Sequence, residues 1–216
     1  MTRPSSAARL FSAYDDVRIV SLPERTDRRR ILERHLRGLG IEPASWAYED
    51  AERKEIAWPF QRVGSHGAFW THHRALSRAG REGRSILILQ DDVAFFETDA
   101  LIPSAPIVYG GWTIEPATGY LHGAHCMGFT AQAARSASDY ILDRYRRAKM
   151  RNEVCPPIDG LLADFRRDDP RFGAAFVRVS TQRPSRSDCT PGIFDRLPIA
   201  RELMALARRL KPMEAL

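Results

Sequence analysis

The most constraining feature of this sequence is an uninterrupted apolar run that ends in two acidic residues. Ile86-Leu87-Ile88-Leu89 shows no alternation of polar and apolar side chains, and Gln90-Asp91-Asp92 follows directly. A run of this kind predicts a central strand that is covered on both faces, as in the sheets of α/β proteins. Open α/β sheets bind ligands at the carboxyl ends of their strands, so Asp91 and Asp92 are expected at a binding edge.

The rest of the chain supports an α/β fold. Val17–Leu22 is apolar and β-branched and predicts a first strand, and the periodicity after it predicts a helix over residues 28–39. Further helices are predicted over 64–79, 131–147 and 158–165, and further strands within 43–48, 120–130 and 172–180. Strands that alternate with helices indicate a mostly parallel sheet with helices packed on it.

The chain of 216 residues is long enough for one domain with a single core. Residues 1–14 show no clear period and are expected to form a flexible tail, and residues 15–195 are expected to form the domain. Residues 196–216 contain apolar side chains at helical spacing, which predicts an amphipathic helix packed on that domain. The arginines of this helix also allow it to dock on a membrane surface.

Charge and cysteine content argue against several classes of protein. The formal net charge is +6, but basic and acidic residues are interleaved rather than gathered into blocks, so nucleic acid binding is not indicated. The three cysteines lie far apart, so neither a disulfide framework nor a zinc knuckle is expected. No apolar stretch reaches the ~18–20 residues of a membrane span. We therefore expect a cytoplasmic protein that is at most peripheral at the inner face of the membrane.

The acidic pair can have two roles. In a loop, Asp91 and Asp92 have the oxygen ligands that Mg²⁺ or Mn²⁺ prefers, but acids that end a strand can also form a solvated turn. Asp159 and Asp188 are candidates for proton transfer, although Asp159 also suits a helix cap and Asp188 a polar loop. The residues by themselves leave these alternatives open.

Three histidines fall within one predicted helix. His66 and His73 share a face of that helix, whereas His72 is rotated away from them by roughly 100°. Their spacing is not that of a helical zinc site, so packing or capping roles are expected for individual histidines. The chain also has no GxxxxGK[ST] phosphate loop, no GxGxxG fingerprint and no GxSxG elbow.

The order of these motifs resembles glycosyltransferase family 25, which includes lipooligosaccharide and collagen galactosyltransferases. The matching segments are, in chain order, Val17–Arg29, Gly64-Ser65-His66, Ile86–Val93, Gly119–Thr130, Pro157-Ile158-Asp159 and Gln182–Asp188. The third segment is similar to the LILEDD strand of the family, with Gln90 in place of its glutamate.

The resemblance implies a GT-A fold, which is a Rossmann-like αβα sandwich that binds a nucleotide-sugar. It implies an inverting hexosyltransferase that moves a hexose such as galactose from a UDP-sugar to a hydroxyl of a glycan such as lipopolysaccharide. In this interpretation Asp92 and Asp91 hold Mn²⁺ or Mg²⁺, and Asp159, with Asp188 as second choice, is the general base. The residues expected to contact the nucleotide are Leu22, Arg25, Arg28, His66 and Asp91.

Two other functions remain open at this point. The aspartate pair together with the three histidines would also suit a metal-dependent phosphohydrolase. A noncatalytic module that binds a nucleotide-sugar or an anionic partner is the third interpretation.

Overall fold

The protein is described by a computed structural model over residues 4–114 and 121–183, and it contains ten strands and five helices within these ranges. The strands are β1 (Asp16–Ser21), β2 (Ala47–Asp50), β3 (Ile86–Gln90), β4 (Val93–Phe95), β5 (Ile107–Tyr109), β6 (Thr113–Ile114), β7 (Leu121–His122), β8 (Cys126–Phe129), β9 (Ala174–Phe176) and β10 (Ser180–Gln182). The helices are α1 (Ser6–Ser12), α2 (Thr26–Gly38), α3 (Val63–Glu82), α4 (Ala131–Arg151) and α5 (Ile158–Asp168), and a single 3-10 turn covers Pro43–Ser45.

Six strands form the central sheet in the order β2-β1-β3-β8-β5-β9. β1 is parallel to β2 and β3, β5 is parallel to β9, and β8 runs antiparallel between β3 and β5. The predicted mixed α/β class with a mostly parallel sheet is thereby confirmed. Val20 of β1 lies opposite Gln90 of β3, so the residues that follow these two strands leave the sheet side by side.

The prediction of a central strand covered on both faces is confirmed for β3. Ile86 and Ile88 pack into the apolar cluster formed with α3 and α4, whereas Leu87 and Leu89 pack into the cluster on the opposite face, with α1 and α2. Successive residues of a strand point to opposite faces, so an apolar run without alternation fills both layers at once. These four side chains are at most 1% exposed.

The expectation of a flexible tail over residues 1–14 is wrong for its described part. Ser6–Ser12 forms α1, whose Leu10 and Phe11 are 0 and 5% exposed beneath the sheet. The Phe11 ring meets the Phe95 ring edge to face, with 5.8 Å between ring centroids. A seven-residue helix spans about two turns, which is too short for its apolar period to stand out from the sequence.

The amphipathic helix predicted over residues 196–216 lies outside the described residues. Within the part of the chain that the structure describes, no helix has the length and apolar character needed to cross a membrane.

Candidate active site

A cleft of about 740 Å³ lies at the carboxyl ends of β1 and β3. The beginnings of α3 and α5 and the loop after β2 complete its walls. Five of the residues that the transferase interpretation assigned to the site line this cleft: Leu22, Arg28, Asp91, Asp92 and Asp159. The topology explains the convergence, because the parallel pairing of β1 and β3 brings the residues after both strands to one edge.

Asp91 is 5% exposed, and both of its carboxylate oxygens are engaged within the protein. Its Oδ1 accepts a hydrogen bond from Arg28 Nη1 at 2.6 Å, and its Oδ2 accepts one from the Ser21 hydroxyl at 2.7 Å. The carboxylate therefore connects the start of α2 to the ends of β1 and β3, and it fixes the guanidinium of Arg28, which lines the cleft.

Asp92 is the less neutralised of the two aspartates. Its Oδ2 accepts a hydrogen bond from Gln182 Nε2 at 3.1 Å and lies 3.6 Å from Arg28 Nη1. Its Oδ1 is buried and has no hydrogen-bond partner among the described residues. Burial raises the pKa of Asp92, the positive charge of Arg28 opposes that rise, and the negative charge of Asp91 adds to it. A cation beside Oδ1 would stabilise the charged form of this carboxylate.

The donor set therefore fits a divalent cation at Asp92. Mg²⁺ is commonly held by one or two carboxylates together with waters and substrate phosphates, and the partnerless Oδ1 provides one such ligand. Over residues 4–114 and 121–183, no three His, Cys, Asp or Glu side chains come together as a preformed metal site. The assignment of Asp91 and Asp92 as metal ligands stays a prediction, and the contacts of Asp91 favour Asp92 as the ligand.

Gln182 and Arg183 reach this edge through a two-stranded sheet formed by β4 and β10. β10 pairs antiparallel with β4, which places Gln182 opposite Val93 and next to Asp92. The Arg183 backbone N–H donates to the Asp92 carbonyl at 2.7 Å. Burial lowers the pKa of Arg183, and the charge of Asp92 opposes that effect. The sequence indicated Gln182 only as the start of a motif, because its contact with Asp92 depends on pairing between distant segments.

Asp159 is held by two backbone amides rather than acting as the cap of its own helix. Its Oδ1 accepts hydrogen bonds from Gly123 N–H at 3.0 Å and Ala124 N–H at 2.9 Å, both in the turn between β7 and β8. Pro157 occupies the N-cap position of α5. Because one oxygen is fixed and the residue is only partly buried, the second oxygen can meet a hydroxyl group in the cleft.

The three histidines do not converge on the aspartates. His66 donates from Nδ1 to the Ile56 carbonyl at 2.8 Å and accepts the Trp70 indole N–H at 3.1 Å, and it is not among the residues lining the cleft. The His73 ring stacks on Phe69. His66 is therefore placed against an aromatic cluster, which differs from its expected nucleotide contact.

Of these three histidines His72 lines the cleft, and His122 of β7 lines it as well. His72 is 1% exposed, and its Nδ1 lies 2.8 Å from the Ala68 carbonyl. Burial lowers the pKa of His72, so the ring is neutral near neutral pH. The rotation of roughly 100° that separates it from the other two histidines is what turns it toward the cleft.

The remaining predicted residues are placed as follows. Arg25 donates to Asp27 at 3.0 Å near the start of α2 and is not among the residues lining the cleft. Asp188 lies outside the described residues.

Comparisons with known proteins found little at the level of sequence. No protein-family model and no curated protein matches the chain. Among solved structures, the chain is similar to a glycosyltransferase involved in the glycosylation of the major capsid of PBCV-1. The two share 14% sequence identity with a TM-score of 0.45, and the match covers 76% of this chain and 82% of that chain.

Proposed function

We propose that this protein is a glycosyltransferase that moves a sugar from a nucleoside diphosphate to a hydroxyl group of a glycan. The observation that carries the proposal is that Arg28, Asp91, Asp92 and Asp159 all line one cleft. One bound substrate can therefore contact both the groups that suit a diphosphate and the Asp159 carboxylate, which suits proton transfer.

The donor side of the proposal rests on the edge formed by β1 and β3. A nucleotide-sugar carries its negative charge on the diphosphate, and Arg28 and Arg183 provide positive charge on the cleft wall. The cleft volume of about 740 Å³ falls within the roughly 300–1,000 Å³ of small-molecule sites. UDP-galactose is the donor that the sequence resemblance favours, with a lipopolysaccharide-like glycan as acceptor.

The acceptor side rests on Asp159. In an inverting displacement, Asp159 takes the proton of the acceptor hydroxyl while the hydroxyl oxygen bonds to the anomeric carbon. The bond from that carbon to the phosphate oxygen breaks, and its electron pair leaves with the diphosphate. A base in this role must lie on the face of the sugar opposite the leaving group. The two amides on Oδ1 restrict the carboxylate to one orientation.

The leaving diphosphate needs compensating charge. Arg28 and Arg183 supply positive charge that is already in place before the bond breaks, so little reorganisation is required. A divalent cation bound at Asp92 would offset further negative charge on the departing group.

The phosphohydrolase alternative has less support. It required the aspartate pair and the three histidines of α3 to act together. Of those three histidines, only His72 lines the cleft with the aspartates. A noncatalytic module would bind the same nucleotide without turnover, so only an activity measurement separates it from the transferase.

The test combines binding with turnover. UDP, GDP and ADP are each added to the protein with and without Mn²⁺ and followed by thermal shift, and a panel of nucleotide-sugars is then assayed for release of the nucleoside diphosphate. We expect one nucleotide to raise Tm and its sugar conjugate to be consumed. Absence of any nucleotide-induced shift would contradict the proposal, as would turnover of phosphomonoesters without any sugar substrate.

A further inference from the structure

Exposed apolar side chains are concentrated in the loop before α3 and around the end of α4. Among the described residues nine large hydrophobic side chains are exposed, and five of them fall within two short segments, 56–63 and 150–154. These five are Ile56, Trp58, Val63, Met150 and Val154, with exposed fractions of 69, 39, 40, 77 and 52%. We call these five side chains the apolar patch. Large apolar groups gathered in this way typically mark an interaction surface.

The two segments adjoin in space although they are far apart in the chain. The Cys155 backbone N–H donates to the Pro59 carbonyl at 2.8 Å. The same two parts of the chain also meet through their side chains, because the Tyr145 ring of α4 packs on the Phe60 ring with 6.0 Å between centroids. The loop before α3 and the end of α4 therefore form one continuous surface.

This surface borders the cleft on two sides. Val63, which belongs to the apolar patch, lines the cleft, and so does Pro157 just beyond the second segment. A body bound to the apolar patch would consequently lie next to the cleft mouth.

The surroundings of the apolar patch are basic. Residues 53–62 contain three basic side chains and one acidic side chain, and residues 146–154 contain four basic side chains and one acidic side chain. Some of these are already paired, since Arg53 contacts Glu24 and Arg147 contacts Asp143. The exposed basic side chains of these ranges for which no ion pair with a described residue is seen are Arg62, Arg146, Lys149 and Arg151.

We propose that the apolar patch docks this protein on the surface of an anionic lipid bilayer, with the cleft mouth beside the membrane. Apolar side chains enter the boundary between headgroups and acyl chains, while lysine and arginine meet anionic headgroups. Tryptophan is favoured at this boundary, which suits Trp58. The excess of basic over acidic side chains near the apolar patch complements the negative headgroups of anionic lipids, and this charge complementarity favours a bilayer as the occupant.

Because the apolar patch lies next to the cleft, membrane docking would favour acceptors that are anchored in the membrane. A glycan anchored in the same bilayer would present its hydroxyl groups beside the cleft. This consequence depends on the proposed glycosyltransferase function, whereas docking itself requires neither nucleotide nor turnover.

Vesicle sedimentation of the 216-residue chain tests the proposal. Vesicles of phosphatidylcholine are compared with vesicles of equal parts phosphatidylcholine and phosphatidylglycerol, at low and high salt. We expect binding to the mixed vesicles only, with affinity that falls as salt screens the charges.

Two double variants locate the surface. Ile56→Gln with Met150→Gln removes apolar contact, and Lys149→Gln with Arg151→Gln removes positive charge. Each pair is expected to weaken vesicle binding on the order of tenfold or more. The apolar pair loses the apolar area that would enter the bilayer, and the basic pair loses ~1 kcal/mol for each basic residue near the membrane. Leu101→Gln is the matched apolar control, because Leu101 is 78% exposed and lies outside the apolar patch.

The outcomes separate docking from the proposed function. Vesicle binding that is lost in both double variants but kept in Leu101→Gln supports the proposal, and an unchanged nucleotide-induced shift in Tm shows that the cleft is intact. Absence of vesicle binding overturns it, as does vesicle binding that the double variants leave unchanged, which would assign docking to another surface. Concentration-dependent self-association that these variants abolish, without vesicle binding, would overturn it in favour of a protein interface.

Discussion

Arg28 Nη1 lies 2.6 Å from Asp91 Oδ1, and the two side chains form an ion pair that is only 12 and 6% exposed. This pair joins the beginning of α2 to the end of β3, and Asp91 also accepts a hydrogen bond from Ser21 at the end of β1. Removing one partner of a buried pair leaves the other charge uncompensated, which costs more than the pair contributes when complete.

Replacing Arg28 with Gln is expected to lower the free energy of unfolding by about 3 kcal/mol, because the buried Asp91 is left without its ion-pair partner. Urea denaturation measures the change. Arg30→Gln is the matched control, since Arg30 lies on the same helix and is exposed, and it should change stability by less than about 0.5 kcal/mol. Equal effects of the two substitutions would show that the pair has no stabilising role.

Asp159→Asn is expected to separate binding from catalysis. The asparagine Oδ1 can still accept from Gly123 and Ala124, so the local geometry should be retained while the base is lost. Turnover of the nucleotide-sugar should fall on the order of 10²–10⁴-fold. The nucleotide-induced rise in Tm should stay, and the exposed Asp143→Asn should behave like the wild type. A variant that keeps full turnover would remove Asp159 from the mechanism.

The two adjacent aspartates are expected to respond differently to metal. Asp92→Asn should abolish any additional rise in Tm that Mn²⁺ produces in the presence of nucleotide, because Oδ1 of Asp92 is the carboxylate oxygen without a partner. Asp91→Asn should lower Tm without nucleotide, since it weakens the contact with Arg28, yet it should retain the Mn²⁺ effect. The reverse pattern would assign the metal to Asp91.

Substitutions at two helical glycines are expected to change the free energy of unfolding in opposite directions. A Cβ on Gly67 would collide with the carbonyl oxygen of Glu52, whereas a Cβ on Gly38 would meet no atom within 4 Å. Gly67→Ala should therefore destabilise the protein by about 1–3 kcal/mol through overpacking. Gly38→Ala should stabilise it by about 0.5 kcal/mol through helix propensity. Calorimetry or urea denaturation gives both values, and stabilisation by Gly67→Ala would show that the loop after β2 does not pack closely on α3.

Acid should destabilise the fold through its buried histidines. Burial lowers the pKa of His125 from 6.5 to about 4, so the unfolded chain takes up a proton at a higher pH than the folded protein does. The contribution of neutral His125 to the free energy of unfolding is therefore complete above about pH 6.5 and is lost as the pH falls toward 4. The largest loss from this group is about 3 kcal/mol. Burial also lowers the pKa values of His35, His72 and His73, which act in the same direction.

His125→Asn tests this dependence. At pH 8 histidine is neutral in both states, so the difference in unfolding free energy between variant and wild type there reports only the packing change. Between pH 7 and pH 5 the variant should lose less stability than the wild type. Parallel curves for the two proteins would show that His125 does not contribute to the acid sensitivity.

The central strand and the position of the two aspartates at its end were predictable because their signal is local. A strand whose successive side chains are all apolar removes them from water only when both of its faces are covered. Ile86–Leu89 is buried in this way. The helix of Ser6–Ser12 was missed for the converse reason, since two turns give too little periodicity.

The sequence by itself determined the α/β class, the central position of β3 and the placing of Asp91 and Asp92 at a strand end. These follow from side-chain pattern along a few neighbouring residues. Only the tertiary structure decided that Asp159 binds the amides of a distant turn, that Gln182 reaches Asp92, and that His72 rather than His66 meets the cleft. Such contacts join residues that are far apart in the chain or depend on how a helix is turned against its neighbours, and neither relation is encoded in a local pattern.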